Sequence, residues 1–210
     1  MELLTVCIID FHKMNMLDYI RKNRSCRRFV QDVKIGAPEL ESMIEAARLS
    51  PSAANRQPLK YILCGDADSA KGREIFECLA WAAYLKDWPG PAEGERPAAY
   101  VIMLHDKTIH QNVLCDPGLA LQSMLLQAVY LGYAGCIFAS VNRPRLQQAL
   151  SLPEKYEILY VVALGKPAET IVLEKINPDL PAGENIKYWR DAQGVHHVPK
   201  RSLEELIINL

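Results

Sequence analysis

The chain has 210 residues, half of them hydrophobic and under a quarter charged, which is enough for one sizeable core or two very small ones. With 24 Lys and Arg against 25 Asp and Glu, the balance is slightly acidic and excludes a broadly basic nucleic-acid binder. No apolar run approaches the ~20 residues needed to cross a bilayer.

The segment from Leu3 to Ile9 is apolar but short, follows Glu2 rather than basic residues, and lacks a small-residue cleavage pattern. It reads as part of an N-terminal extension over residues 1–15, with Met14 and Met16 as alternative starts, rather than a signal peptide. Leu17 and Ile20, three residues apart, predict a helix over Met16 to Lys22. Five cations then fall within eight residues (Arg21, Lys22, Arg24, Arg27, Arg28), with the hydroxyl of Ser25 among them and Phe29 closing the run. An Arg fork beside a Ser hydroxyl suits a phosphate or carboxylate. The plainer reading is a solvated basic helix end favoured by the helix dipole.

Leu40, Met43, Ile44 and Ala47 give an amphipathic helix over Pro38 to Ser50, with Pro38 in its first turn and Pro51 stopping it. The nine residues Ser50 to Pro58 form a polar loop between prolines, and Tyr61 to Cys64 is a short apolar strand. Loops held between firm elements often carry function. Ala67 to Ala83 reads as a helix, and the Pro- and Gly-rich stretch from Asp87 to Pro97 as a surface excursion bearing Trp88. Tyr100 to Leu104 is a buried strand. Asp116 to Gly132 is apolar nearly all round and should be a central helix, with Asp116 as N-cap and Pro117 at its first position. Cys136 to Ser140 is extended, Pro144 to Leu150 a short helix, and Ile158 to Leu164 a buried strand ended by Gly165. A turn at Ala192 to Gly194 precedes Val195 to Arg201. The apolar tail from Leu203 to Leu210 needs a cover, which a partner subunit would provide.

The six cysteines (Cys7, Cys26, Cys64, Cys78, Cys115, Cys136) are scattered without metal or redox spacing, so a reducing cytoplasm is the simplest setting. His196 and His197 would point to opposite faces of a strand and cannot chelate together. One α+β domain over residues 16–210 is the economical reading, without repeats or linkers.

Three separated patterns then align: Arg24-Ser25-x-Arg27-x-Phe29, Pro51-Ser52-Ala53-x-Asn55-x-Gln57-Pro58, and the Asp116 helix leading to Gly135-x-Ile137-x-Ala139 and to Leu164-Gly-Lys-Pro167. Together the sequence resembles the nitroreductase family of flavin enzymes from about Met16 to its end. The resemblance implies a nitroreductase-like α+β fold, with a central mostly antiparallel sheet surrounded by helices, in an intertwined homodimer with FMN at the subunit interface. It further implies reduction of nitroaromatics, quinones or similar acceptors by NADH or NADPH, in a ping-pong exchange through flavin N5. By position, Arg24 and Ser25 would hold the FMN phosphate and ribityl chain, Arg27 the N1/O2 edge, and Lys200 or Arg201 would complete the phosphate clamp. Pro51, Ser52, Ala53, Asn55 and Gln57 would come from the other subunit to cover the flavin edge. The backbone around Ile137, Ala139 and Ser140 would face the ring, near N5.

Two positions depart from the family pattern: Asn23 stands where a basic residue is usual, leaving Arg24, Arg21 or Arg28 to substitute, and Leu59 stands where an aromatic is common. No G-x-G-x-x-G loop follows a strand, so a nicotinamide nucleotide would visit rather than reside. No Ser-His-Asp or Cys-His arrangement is evident, and no metal is expected. Two other functions fit less of the sequence: a flavin-sequestering protein on the same fold, and a nucleic-acid module using Arg21 to Arg28.

Overall fold

The computed structural model describes residues 14–208. The readings made for Leu3 to Ile9 and Cys7 therefore lie outside the described residues. Among the described residues eight strands and six α-helices follow one another: α1 Met16–Lys22, β1 Phe29–Val30, α2 Ala37–Arg48, β2 Leu59–Cys64, α3 Ala70–Glu77, β3 Ala99–Asp106, α4 Asp116–Tyr130, β4 Ala134–Phe138, α5 Arg143–Ala149, β5 Tyr156–Pro167, β6 Ile171–Lys175, β7 Trp189–Arg190, β8 His196–Lys200 and α6 Leu203–Leu206.

The central sheet is antiparallel throughout. Strand β5 is its spine: Leu164 pairs with Ala99 of β3 on one edge and with Gly135 of β4 on the other, and β1 pairs beyond it at Lys166 and Pro167. Both faces are buried, which explains why β3 is apolar without alternation. Val101 and Met103 pack with Met43, Leu121 and Met124 on the face covered by α2 and α4. Tyr100, Ile102 and Leu104 point the other way, to Ile75, Phe138 and Leu146 on the face covered by α3 and α5. The period of two therefore sorts one strand between two cores. A second sheet, with β6 parallel and β7 antiparallel to β8, brings the C-terminal segment back beside the basic turn.

Helices α1, α2, α4 and α5 lie where the apolar periodicity places them. Helix α3 is shorter than the expected 67–83 span. Ser69 caps it by accepting from the Gly72 N–H, and beyond Glu77 the chain turns to pair Leu79 with Val141 while Ala80 N–H donates to Ser140. A non-local bridge wins over local helical propensity there. The Asp87 to Pro97 stretch is likewise anchored rather than a plain excursion. Trp88 packs edge-on against Trp81, carries the Arg190 guanidinium 4.7 Å from its ring centroid, and is followed by buried Gly90 close against Trp81. Glu95 is bound by Arg28.

Gly135 shows how closely the site is built into the sheet. Its carbonyl accepts from Cys26 N–H at 3.0 Å, and Ser25 bridges to it, so the basic turn lies directly on β4. A Cβ at Gly135 would stand 2.9 Å from the Ala163 carbonyl oxygen and 2.6 Å from a Leu125 methyl. Gly135→Ala is therefore expected to destabilise the protein by about 1–3 kcal/mol, the usual cost of overpacking. Urea unfolding of the variant, with an unchanged midpoint as the contrary result, checks this.

Candidate functional site

A cavity of about 250 Å³ opens where the turn after α1 meets β4 and β8, and its wall includes Arg24, Ser25, Arg27, Ile137 and Lys200. The local fold explains which cations reach it. Asn15 and Asp18 form a capping box at the start of α1, and Arg21 is drawn back to Asp18 at 3.1 Å. Arg28 is engaged by Glu95 through both ends of its fork. Lys22 Nζ donates to Met14 Sδ at 3.3 Å and does not line the cavity. Arg24 and Arg27 of the run remain there with Lys200, and none of the three makes an ion pair among the described residues. Arg24 donates to the Ile20 carbonyl at 2.8 Å, while its buried Nε has no partner among the described residues, and burial lowers its pKa from the ordinary value. It stays cationic regardless.

The backbone behind this wall is held by a residue that the sequence did not single out. Glu169, its side chain only 1% exposed, accepts the backbone N–H groups of Arg27 and Arg28 and pairs with Arg190 at 2.9 Å. One buried carboxylate thus fixes the backbone that presents the cations. The Arg27 guanidinium lies 4.8 Å from the Tyr188 ring centroid and 3.4 Å from His196 Nε2. A guanidinium only donates, so Nε2 accepts and the imidazole proton sits on Nδ1, which is buried without a partner among the described residues. Asn23 donates to Gln122 at 3.2 Å and also lines the cavity, in place of a further cation. No local pattern marks Glu169 or Gln122, because Gln122 meets Asn23 across 99 residues of sequence and Glu169 meets Arg27 across 142.

Not every candidate reaches this cavity. Arg201 turns to Glu205 at 3.3 Å. Ala139 and Ser140 lie beyond the end of β4, their carbonyls accepting from Val141 and Ala80. Pro51, Ser52 and Gln57 line a separate cavity of about 390 Å³ with Tyr61 and Asp116. Asp116 is the first residue of α4 rather than its N-cap. Its carboxylate leaves the helix end and accepts from Ser52 Oγ at 2.5 Å and Ala53 N at 2.9 Å. Asn55 sits in the same loop, where its side-chain oxygen accepts from Gln57 Nε2 at 3.0 Å. Burial first, and then the Asp116 charge, push the Tyr61 hydroxyl up to about 12.

The thiols near the turn are unsuited to nucleophilic work. Burial raises Cys26 to about 12 and Cys136 to about 11, so both stay protonated at neutral pH. No group of three or more possible metal ligands occurs among the described residues.

The two adjacent histidines differ sharply. His196, 1% exposed, is held at about 4, chiefly by burial. His197 is raised from the ordinary histidine value by its bonds to Glu174 at 2.8 Å and Asp191 at 3.1 Å, with Trp189 stacked on it. The signs oppose. Below about 6.5 the unfolded state takes up a proton that folded His196 refuses, so stability falls toward acid. Above about 6.5 folded His197 keeps a proton that the unfolded state has lost, so stability falls as pH rises through its raised value. Urea midpoints measured from pH 4 to 9 are expected to peak near the ordinary histidine pKa. His197→Gln should flatten the alkaline limb alone, and an unchanged alkaline slope would contradict the assignment.

The nitroreductase family model matches residues 20–166, from the end of α1 to the end of β5. The chain belongs to the nitroreductase family. A protein of Archaeoglobus fulgidus named as an NADH dehydrogenase/NAD(P)H nitroreductase is 28% identical over 176 residues, covering 78% of this chain and 94% of that protein. A similarly named protein of Methanothermobacter thermautotrophicus is 26% identical over 165 residues, covering 75% and 80%. Among solved structures, a nitroreductase family protein of Clostridium difficile superposes with a TM-score of 0.63 at 21% identity, over 93% of this chain and 98% of that one, so the fold is shared. The NADPH:FMN oxidoreductase of Vibrio harveyi gives 0.57 at 22% identity, over 79% and 73%. Family membership fits the antiparallel sheet with helices on both faces.

Proposed function

We propose that this nitroreductase-family chain is an FMN-dependent oxidoreductase that uses NADH or NADPH to reduce nitroaromatic, quinone or similar acceptors. The observation that carries the reading is the convergence of Arg24, Ser25, Arg27 and Lys200 on one cavity, with no carboxylate paired to any of the three cations among the described residues. The buried Arg24 Nε, which has no partner among the described residues, suits an anionic ligand. The residues present therefore suit a phosphorylated flavin.

The chemistry that FMN would supply at this site is hydride exchange between the nicotinamide nucleotide and the acceptor. Ser25, Arg24 and Lys200 would hold the phosphate and ribityl chain. Arg27, fixed by Glu169 from behind and by Tyr188 and His196 beside it, would place a cation at the N1/O2 edge, where negative charge develops on reduction. Ile137, partly exposed on the cavity wall, would lie against the ring.

The loop of Pro51, Ser52, Ala53, Asn55 and Gln57 would serve the other subunit's flavin. It lines a different cavity from the basic turn of its own chain, which supports that arrangement. Exposed Leu203, Leu206, Ile207 and Ile208, with Ile208 82% exposed, and exposed Met16 and Leu17 offer apolar surface for a homodimer. Five described cysteines are unpaired, as a cytoplasmic setting would keep them. Among the described residues no helix is long and apolar enough to cross a membrane.

Stopped-flow mixing of the FMN-loaded protein with NADH or NADPH tests the reading. Bleaching of the flavin band within seconds, and recovery on adding a quinone, is the expected result. A band that stays yellow would favour flavin sequestration, and a protein that binds no FMN would overturn the proposal.

A further inference from the structure

The Ser52–Gln57 loop is held in a costly conformation, and the group that holds it lies outside the loop. Ala54, Asn55 and Gln57 have φ values of 50°, 54° and 52°, in the left-handed region that disfavours side chains with a Cβ. Three such residues in four, none of them glycine, persist only where surrounding contacts over-determine them. Those contacts trace to Asp116. Its carboxylate, 3% exposed, accepts from Ser52 Oγ at 2.5 Å through one oxygen and from Ala53 N–H at 2.9 Å through the other. The Ser52 hydroxyl, oriented by that donation, accepts in turn from Gln57 N–H at 2.8 Å. The loop is thus tied at both ends to one buried charge on the rigid first turn of α4.

We propose that Asp116 is a positioning residue for the cofactor site: it clamps the loop in its left-handed form and so sets where Asn55 and Gln57 are presented to the flavin. The inference rests on the reading that this loop faces a bound FMN. Both carboxylate oxygens are used as acceptors, so the carboxylate itself is required. The side-chain amide introduced by Asp116→Asn can accept only one of the two bonds and turns an NH2 toward the other donor.

The test uses the full-length protein with four forms: native, Asp116→Asn, Ser52→Ala and the double variant. Hydrogen exchange at the Ala53 and Gln57 amides without cofactor reads the clamp itself. FMN titration by fluorescence quenching, and the midpoint potential of bound FMN, read its consequence at the site. Asp116→Asn is expected to speed exchange at both amides, weaken FMN by about tenfold or more, and shift the midpoint potential. The double variant should bind FMN no worse than Asp116→Asn, because both changes cut one chain of contacts.

Unchanged exchange would overturn the clamp. Faster exchange with FMN affinity within about twofold of native and an unmoved potential would overturn the positioning role, leaving Asp116 structural. Should Asp116→Asn fail to fold, Ser52→Ala leaves the buried charge in place. Native-like FMN binding and potential in that variant would then overturn the inference. Absence of FMN binding by the native protein would instead overturn the functional reading, while the exchange measurement still decides the clamp.

Discussion

Replacement of Glu169 by leucine is expected to destabilise the protein by about 3–5 kcal/mol, the cost of breaking a buried ion pair from one side. The Glu169 side chain is 1% exposed and its Arg190 partner 15%, so neither charge can turn to water when the other is removed. Two further groups lose their acceptor at once, the N–H groups of Arg27 and Arg28. The loss reaches beyond stability, since Arg190 also stacks on Trp88 and fixes the 87–97 segment. Glu169→Gln keeps the shape and one acceptor oxygen but removes the charge, and should cost less than the leucine variant. Urea unfolding of both variants measures the difference. Equal stability of native protein and Glu169→Leu would show that the carboxylate is not the anchor of the basic turn.

The second large effect is on cofactor affinity. Arg24→Ala and Lys200→Ala are each expected to weaken FMN binding by about 10- to 100-fold, the range for one charge-assisted hydrogen bond in a partly dry site. Riboflavin, which has no phosphate, should bind weakly to the native protein and be little affected by either change. Arg201→Ala provides the contrast: its guanidinium is engaged with Glu205 on the surface, and a small effect is expected. Parallel titrations with the two flavins separate a phosphate contact from general damage to the site. Equal losses for FMN and riboflavin would place Arg24 and Lys200 elsewhere in recognition.

Much of this architecture was legible because it is written in local periodicities. Helix α2 follows from Leu40, Met43 and Ala47 behind Pro38, and β3 and β5 from apolar runs too short for buried helices. The basic turn was visible as composition, but the sorting of its five cations was not. Arg28 goes to Glu95, Arg21 to Asp18 and Lys22 to the Met14 sulfur, and only tertiary structure shows that Arg24 and Arg27 are left for the cavity. Asp116 illustrates a different failure. An acidic residue before Pro117 looks like a helix cap, yet its carboxylate turns to Ser52 and Ala53, 63 residues and more away in sequence. Glu169 stands in an ordinary polar stretch after β5, with no signal of its buried position. The end of α3 was overrun because the pairing of Leu79 with Val141 is invisible until the fold is closed.

The central claim is that one phosphorylated flavin bridges the basic turn and Lys200 of one chain and the proline-bracketed loop of another. A crystal structure of the FMN-saturated protein tests it most directly. The expected result is a homodimer with the phosphate in hydrogen-bond reach of Arg24, Ser25 and Lys200, Arg27 at the N1/O2 edge, and the partner's Ser52–Gln57 loop against the ring. A phosphate bound away from that turn, or a flavin enclosed within a single chain, would contradict the account.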